Sequence, residues 1–514
     1  MMWGDDHQGF GEPPAMPLII AGYSPQVLPR LERASLCDLL RRLPPDELEE
    51  ALRTRLFRAV NLPELVLFAA CGPAALAEAE RKGLALAGYA EVDDLLAAAR
   101  AVHGGYLLQE ATFGLARRQP EASARRRVTP PQMFGGLLLL AGFATAGALL
   151  PVAAYVTLLS VASGLFFFGV VALRVLCLMP PVARQRPAIV SLSDEDLPVY
   201  SVLVPVFRET RVLRQLLNAL TRLDYPASKL DIKLILEEED IAMQRALADV
   251  SLDPRFEIII VPAGLPQTKP RALNYALQFC RGALVTIYDA EDVPERDQLR
   301  RAAARFAASP PELACLQAQL TYYNPDENWL TRQFTAEYAA LFGVLLPVLA
   351  NHGLPLPLGG TSNHFRAAIL RKVGAWDPFN VTEDADLGLR LARQGYETAM
   401  LGSLTYEEAA TRLPNWMRQR ARWLKGFLAT WLVHMRHPLG LMRELGPAGF
   451  WTMQAMTIGV FASALLHPVC MISTAILAVL YPSLPAGAGA VLVILAGLNL
   501  FVLLAGYGLA IALL

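Results

Sequence analysis

Three carboxylates within four positions, Asp289, Glu291 and Asp292, follow the apolar run Leu284-Val285-Thr286-Ile287-Tyr288 and are closed by Val293-Pro294. Like charges this close repel one another and are costly to take out of water. A hard divalent cation would neutralise them, with oxygen ligands from Asp289 and either Glu291 or Asp292. The alternative is a solvated acidic turn. A second acidic cluster, Thr382-Glu383-Asp384-Ala385-Asp386, stands where a helix starts. Taken alone it is ordinary first-turn chemistry, because carboxylates favour the positive end of a helix. A third stretch, Gln419-Arg420-Ala421-Arg422-Trp423, lies in a basic and aromatic amphipathic run from Trp416 to Lys425. A helix of that kind rests in a membrane interface.

The elements that must position these groups alternate between strand and helix from Pro198 onward. Residues 200–206, 231–236, 256–261 and 284–288 read as short apolar strands, and 211–223 and 269–280 as helices. This alternation predicts a mostly parallel sheet with helices on both faces. The acidic stretch then falls at a strand end, where ligands sit in α/β sheets. Leu358 to Arg366 forms a glycine-led polar loop that includes Gly360. The fingerprints G-x-G-x-x-G and G-x-x-x-x-G-K-[ST] are both absent, which argues against a dinucleotide fold and a P-loop.

Hydrophobic residues make up 54% of the 514-residue chain, and two charge deserts account for the excess. No Asp, Glu, Lys or Arg occurs from Val128 to Leu173, or from Leu445 to Leu514. Each desert has room for two spans of about 20 residues. Pro151 divides the first into a hairpin of about 133–151 and 154–178, and Tyr481 to Pro485 divides the second into about 449–480 and 487–514. Arg125-Arg126-Arg127 before the first desert, and Arg174, Arg184 and Arg186 after it, put both flanks on the cytoplasmic side. The chain ends inside an apolar run, so further helices are expected beyond it.

The expected organisation is therefore a flexible N-terminus (1–23), a helical N-terminal domain for regulation or docking (24–115) and a basic linker (116–132). A transmembrane hairpin (133–179), an α/β domain (190–430) with its interfacial helix (412–430), and C-terminal transmembrane helices (447–514) follow. The net charge of −1 shows no basic excess of the kind nucleic-acid binding needs. Six scattered cysteines, with no C-x-x-C, fit reduced thiols and exclude a zinc-site pattern.

From about Tyr200 to Phe427 the chain resembles the membrane-integrated family 2 glycosyltransferases, the group of cellulose and hyaluronan synthases. The family's Asp-x-Asp, Thr-Glu-Asp and Gln-x-x-Arg-Trp motifs match Asp289-Ala290-Glu291, Thr382-Glu383-Asp384 and Gln419-Arg420-Ala421-Arg422-Trp423, in that order. The resemblance implies a GT-A fold, set between transmembrane helices, that performs inverting transfer from a nucleotide diphosphate sugar, UDP-linked by analogy. It gives Asp289, Glu291 and Asp292 to Mg²⁺ or Mn²⁺ on the phosphates. Asp384 is the implied base, within the catalytic set Thr382, Glu383 and Asp384. Arg420 and Arg422 would clamp the diphosphate, Trp423 would support the acceptor sugar, and Gln419 and Gly360 would line the substrate site. Lys269 and Arg271 match the family's basic element near the phosphates, and Arg208 and Glu209 follow the first strand where the nucleoside is bound.

Two departures stand out. Glu237-Glu238-Glu239-Asp240 occupies the place of the family's Asp-Asp, so the nucleoside role passes to Glu237 or Glu238, and Glu291 replaces an Asp. The helical N-terminal module resembles the secretion-ATPase-like domains of bacterial members. Some of those bind cyclic dinucleotides, although the Arg-Leu-Gly repeat they carry is absent here. The resulting expectation is a bacterial inner-membrane, multi-pass enzyme, with catalytic and N-terminal domains in the cytoplasm, that extends a polysaccharide and exports it through the membrane to an outer-membrane or export partner. Transfer of a single sugar to a polyprenyl or other lipid acceptor is the alternative, and a catalytically degenerate receptor or scaffold is another.

Overall fold

The computed structural model describes residues 28–62, 65–176 and 191–466, together with Gly497, Phe501, Leu504, Ala505 and Gly508. Two compact units divide between Leu107 and Leu108. The first contains α1 (Arg33–Arg42), α2 (Pro45–Thr54), β1 (Leu56–Leu62), β2 (Leu65–Cys71), α3 (Pro73–Arg81), β3 (Leu86–Ala90) and the first part of α4 (Val92–Arg118). Helices are present as expected for a helical domain, but the unit is not purely helical. Its strands form a sheet ordered β1-β2-β3, antiparallel in the first pair and parallel in the second. Strand β2 buries Leu67, Ala69, Ala70 and Cys71. Partly buried His103 of α4 contacts the Leu40 carbonyl of α1 at 2.8 Å.

The second unit opens inside α4, and its next helices are α5 (Pro130–Leu149) and α6 (Val152–Leu176). These match the expected hairpin, with Pro151 at the break. Then come β4 (Tyr200–Val206), α7 (Leu213–Thr221), β5 (Leu230–Glu237), α8 (Ile241–Ala248), β6 (Phe256–Val261), α9 (Lys269–Leu277), β7 (Leu284–Ile287), β8 (Val293–Pro294) and α10 (Gln298–Ala307). After β9 (Leu313–Tyr322), α11 (Trp329–Tyr338) runs through a π-helical stretch into α12 (Leu346–Asn351). Strand β10 (Asn363–Arg366), α13 (Ala367–Lys372), α14 (Glu383–Arg393), β11 (Glu397–Glu407), α15 (Leu413–His434) and α16 (Pro438–Gln454) complete it.

The eight strands are ordered β6-β5-β4-β7-β10-β9-β11-β8. The first four are parallel, as the alternation predicts. Strand β10 pairs antiparallel with both β7 and β9, β11 runs parallel to β9, and β8 antiparallel to β11, so the sheet is mixed. Val202, Val204 and Val206 of β4 face a core closed by Leu213, Leu216 and Leu220 of α7, with Leu299, Ala302 and Phe306 of α10. The spacing of Leu213, Leu216 and Leu220 lines one helix face, and each buried Leu contributes roughly 1.5–3 kcal/mol. Helix α9 packs against β4, β5 and β6.

Residues 108–127, the last turns of α4 and the basic linker, are part of this unit's packing. Asn274 of α9 donates to the carbonyls of Ala111 (3.0 Å) and Trp376 (2.8 Å). Buried Asp377 accepts from the Ser123 hydroxyl at 3.1 Å and from the Ala124 N–H. Arg436 donates to the carbonyls of Pro120, Glu121, Ser123 and Arg126. The linker reading of 116–132 is corrected accordingly: its basic composition hides a segment held down by backbone carbonyls.

Among the described residues three helices are long and apolar enough to cross a membrane, Pro130–Leu149, Trp329–Asn351 and Pro438–Leu466. Helix α5 carries no charge and buries none of its side chains, as expected where a helix meets lipid. The protein is a membrane protein. Of the expected spans 449–480 and 487–514, what lies beyond residue 466 falls outside the described residues, single positions excepted.

Candidate active site

Strand β7 ends at Ile287, and the chain then turns through Asp289 to Asp292 before β8. Asp292 shapes this turn. Its buried carboxylate accepts from the Asp289 N–H at 2.7 Å and from the Thr361 hydroxyl. Burial, followed by the charge of Asp289, pushes its carboxyl well above the ordinary range. Asp292 therefore props the loop, which leaves Asp289 and Glu291 as the carboxylates able to face an ion. Burial, then the charges of Asp289 and Glu209, push Glu291 up to about 7.

Lys269, at the first position of α9, joins this loop to the second acidic cluster. Its ammonium lies 2.6 Å from Asp289 Oδ1 and donates to the Gly360 carbonyl at 2.7 Å. A Cβ on Gly360 would stand 3.8 Å from Asp384 Oδ2, so Asp384 lies next to this glycine. Burial pulls the Lys269 ammonium down, but Asp289, Asp384 and Glu383 outweigh it and hold it above the ordinary lysine range. Asp289, Lys269, Gly360 and Asp384, from four separate elements, thus meet at one place.

Three acids of the Thr382–Asp386 cluster open α14, and all three are buried. Burial separates their roles. Asp386 takes a salt bridge from Arg390 at 2.8 Å and contacts His434 Nε2 at 3.1 Å. Arg390 also donates to the carbonyls of Val373 and Ala375, which ties α14 to the preceding loop. Asp384 has no ion pair of that kind within its own helix: its buried Oδ1 has only the indole of Trp376 as a neighbouring donor, beyond close hydrogen-bond geometry, and that indole opposes the rise of its carboxyl. Burial raises Asp384 to about 7, with Lys269 opposing and Asp289 adding to the shift. Burial and the adjacent Asp384 likewise raise Glu383 well above the ordinary range. Such a carboxyl is poised to take a proton near neutral pH. Thr382 rests on α15, where Gly426 allows the approach; a Cβ there would come 2.3 Å from Thr382 Cγ2.

Other expected residues are placed differently. Arg271 is fully buried and pairs with Glu237 at 2.5 Å, so it orients the β5 end rather than facing phosphate. Burial raises Glu237 and Arg271 opposes it. Glu238 is exposed and accepts from the Ala263 N–H at 3.1 Å. Arg208 has a left-handed backbone (φ 59°), held by its N–H donating to Asp240 at 2.6 Å. That conformation costs about 1–2 kcal/mol for a non-glycine residue. Glu209 is raised by burial and then by Asp289, which puts it on the rim of the same acidic site.

On α15, Arg420 is already occupied. Glu337 of α11 takes both ends of its guanidinium, and the faces of Phe334, Trp423 and Trp416 lie 4.8, 4.8 and 5.2 Å away. In this arrangement the guanidinium braces the helix, and the expected paired diphosphate clamp is not formed. Arg422 is exposed, Gln419 has a buried Oε1 without a partner, and Trp423 packs on Phe334. Among the described residues no contact links Arg422 to Asp289 or Asp384.

Sequence reasoning missed Glu407 and Glu337. Glu407 closes β11 and is raised by burial, then by the charges of Asp292, Asp289 and Glu291. Its signal, the pair Glu407-Glu408 at a strand end, is the same kind that singled out Asp289. Among the described residues no three metal-type ligands already stand in ligating distance. The donor set nonetheless fits a hard cation. Asp289 and Glu291 are all-oxygen, partly exposed, and crowded by carboxylates with Lys269 as the adjacent cation.

The model of glycosyl transferase family group 2 matches residues 284–504. A beta-monoglucosyldiacylglycerol synthase from Synechocystis is 27% identical over 298 residues, 56% of this chain and 61% of that protein. Cellulose synthase 2 from Novacetimonas hansenii is 28% identical over 295 residues, 56% of this chain and 18% of that protein. The chain thus spans less than two thirds of the length of either relative. A mannosyltransferase structure from Pyrobaculum calidifontis, in complex with GDP-Man and Mn²⁺, aligns with 67% of this chain and 98% of its own at 19% identity and a TM-score of 0.40. Asp289, Asp384 and the α15 motif all lie inside the matched segment, so over residues 284–504 the chain is similar to the family 2 glycosyltransferases at the positions that form the candidate site.

Proposed function

We propose that the protein is an inverting glycosyltransferase of the bacterial inner membrane that moves a sugar from a nucleotide diphosphate sugar to a growing polysaccharide at the cytoplasmic face. The observation that carries this reading is the meeting of Asp289, Lys269, Gly360 and Asp384. Asp384 takes the proton of the acceptor hydroxyl as that oxygen attacks the anomeric carbon from the face opposite the leaving group. The bond from the anomeric carbon to the diphosphate oxygen breaks, and its electron pair leaves with the diphosphate. Asp289 and Glu291 would hold Mg²⁺ or Mn²⁺, which supplies positive charge to that leaving group. Arg422, exposed on α15, is the guanidinium left free to meet the diphosphate once Arg420 is set aside. Trp423 offers an apolar face to the acceptor sugar. Export through the spans and a docking or regulatory task for the first unit complete the reading, the latter from its place ahead of the membrane segment.

The glucosyldiacylglycerol synthase relative favours a second reading, one sugar added to a lipid acceptor. Incubating membranes with a panel of radiolabelled nucleotide sugars, UDP-linked first, separates the two. A ladder or high polymer, lost on chelation of divalent ions, is expected. A single labelled glycolipid would replace the polymerase reading with the second. A purified protein that binds no nucleotide sugar in the presence of Mg²⁺ or Mn²⁺ would reject both and leave a membrane scaffold.

A further inference from the structure

We infer that Lys269 is the resident counter-ion of the metal site, and that a divalent ion reaches Asp289 by displacing its ammonium. The inference rests on the function proposed above. The geometry behind it is specific. Lys269 sits 2.6 Å from Asp289 Oδ1, the carboxylate with the clearest claim on an ion, and at the same time donates to the Gly360 carbonyl at 2.7 Å. It bridges the acidic turn at Asp289 and the glycine-led loop at Gly360 from a third element, the start of α9. The pair is about one third open to solvent, with Lys269 27% and Asp289 36% exposed, so the contact can break without uncovering a core.

An ammonium and a divalent ion compete for the same oxygen, because each is attracted by the carboxylate and repelled by the other. The metal therefore binds weakly on its own. A nucleotide diphosphate changes the balance by giving Lys269 a new anionic partner as it leaves Asp289. The consequence is an order of assembly: ion and donor enter together, and an ion without a donor is held off. Lys269 then acts as a positioning residue with opposite effects on two ligands. Removing its charge strengthens binding of the bare ion and weakens retention of the diphosphate.

The test titrates the full chain in detergent with Mn²⁺ and reads the free ion by electron paramagnetic resonance, first alone and then with UDP. Lys269→Met is expected to raise the affinity for Mn²⁺ alone by about tenfold, the order expected when one unit charge is removed close to a partly exposed site. Lys269→Arg, which keeps the charge, is expected to stay near the native value. With UDP present, Lys269→Met is expected to lose the extra affinity the nucleotide gives the native protein. Lys269→Gln serves as a second neutral variant, and the Mn²⁺-induced rise in melting temperature provides an independent readout should either be poorly folded.

An Asp289→Asn variant keeps the two claims apart. If Asp289→Asn abolishes Mn²⁺ binding while neutral replacements of Lys269 leave it unchanged or weaker, the counter-ion inference is wrong and the metal assignment stands. If Mn²⁺ binding ignores Asp289→Asn, or is absent from both the native protein and Lys269→Met, the metal assignment itself falls and takes the inference with it.

Discussion

Asp384→Asn should lower kcat by roughly 10²–10⁴-fold, the contribution of a well-placed general base. Donor binding should survive, because the ligands assigned to the ion and diphosphate lie on other elements. The pH dependence follows from the raised carboxyl. Below about 7 Asp384 is protonated and cannot accept a proton, so kcat/KM of the native enzyme should fall on the acid side, while the residual activity of the variant should lack that limb. The stability effect has the opposite sign. A carboxyl that binds its proton more tightly when folded contributes less and less to stability as pH rises from about 4, its unfolded value, toward 7. At pH 8 Asp384→Asn removes that burden, and the melting temperature should hold or rise. Loss of donor binding, or a collapse of the melting temperature at pH 8, would show that Asp384 is structural.

Arg390→Met should do the reverse. The guanidinium is buried and pairs with fully buried Asp386, two positions beyond Asp384. Removing it leaves that carboxylate in the interior with His434 as its remaining neighbour, and strips donors from the carbonyls of Val373 and Ala375. Breaking a buried ion pair from one side costs roughly 3–5 kcal/mol. At about 2–4 °C per kcal/mol for a domain of this size, the melting temperature should drop on the order of 10 °C. Activity would decline with the folded fraction, and a ligand-free thermal melt measures it. An unchanged melting temperature would mean that the Arg390–Asp386 pair does not hold α14.

What could be read in the sequence was mostly local. Strands β4 to β7 are short runs of Val, Ile and Leu between turn residues, and their pattern announces buried parallel strands. The Asp289 loop stood out because charge after such a run needs a reason. The roles inside the Thr382–Asp386 cluster could not be told apart, since a salt bridge to Arg390 and a contact to His434 depend on packing that spacing does not encode. The partner of Arg420 was hidden for the same cause: Glu337, which pairs with it, is 83 residues away. In the first unit, β1 and β2 are brief apolar stretches among good helix formers, and a run of that length fits either structure until its pairing partner is known.

The way residues 108–127 are held bears on where this polypeptide can be divided. Composition suggests a cut within the arginine-rich stretch, just ahead of the first lipid-facing helix. Such a cut would deprive Arg436 of carbonyls it grips and Asp377 of the hydroxyl and amide it receives, in the loop that leads from α13 to the start of α14, where Asp384 sits. The smallest autonomous transferase therefore has to begin upstream, midway along α4, and the last turns of that helix are as much its property as any strand of the sheet.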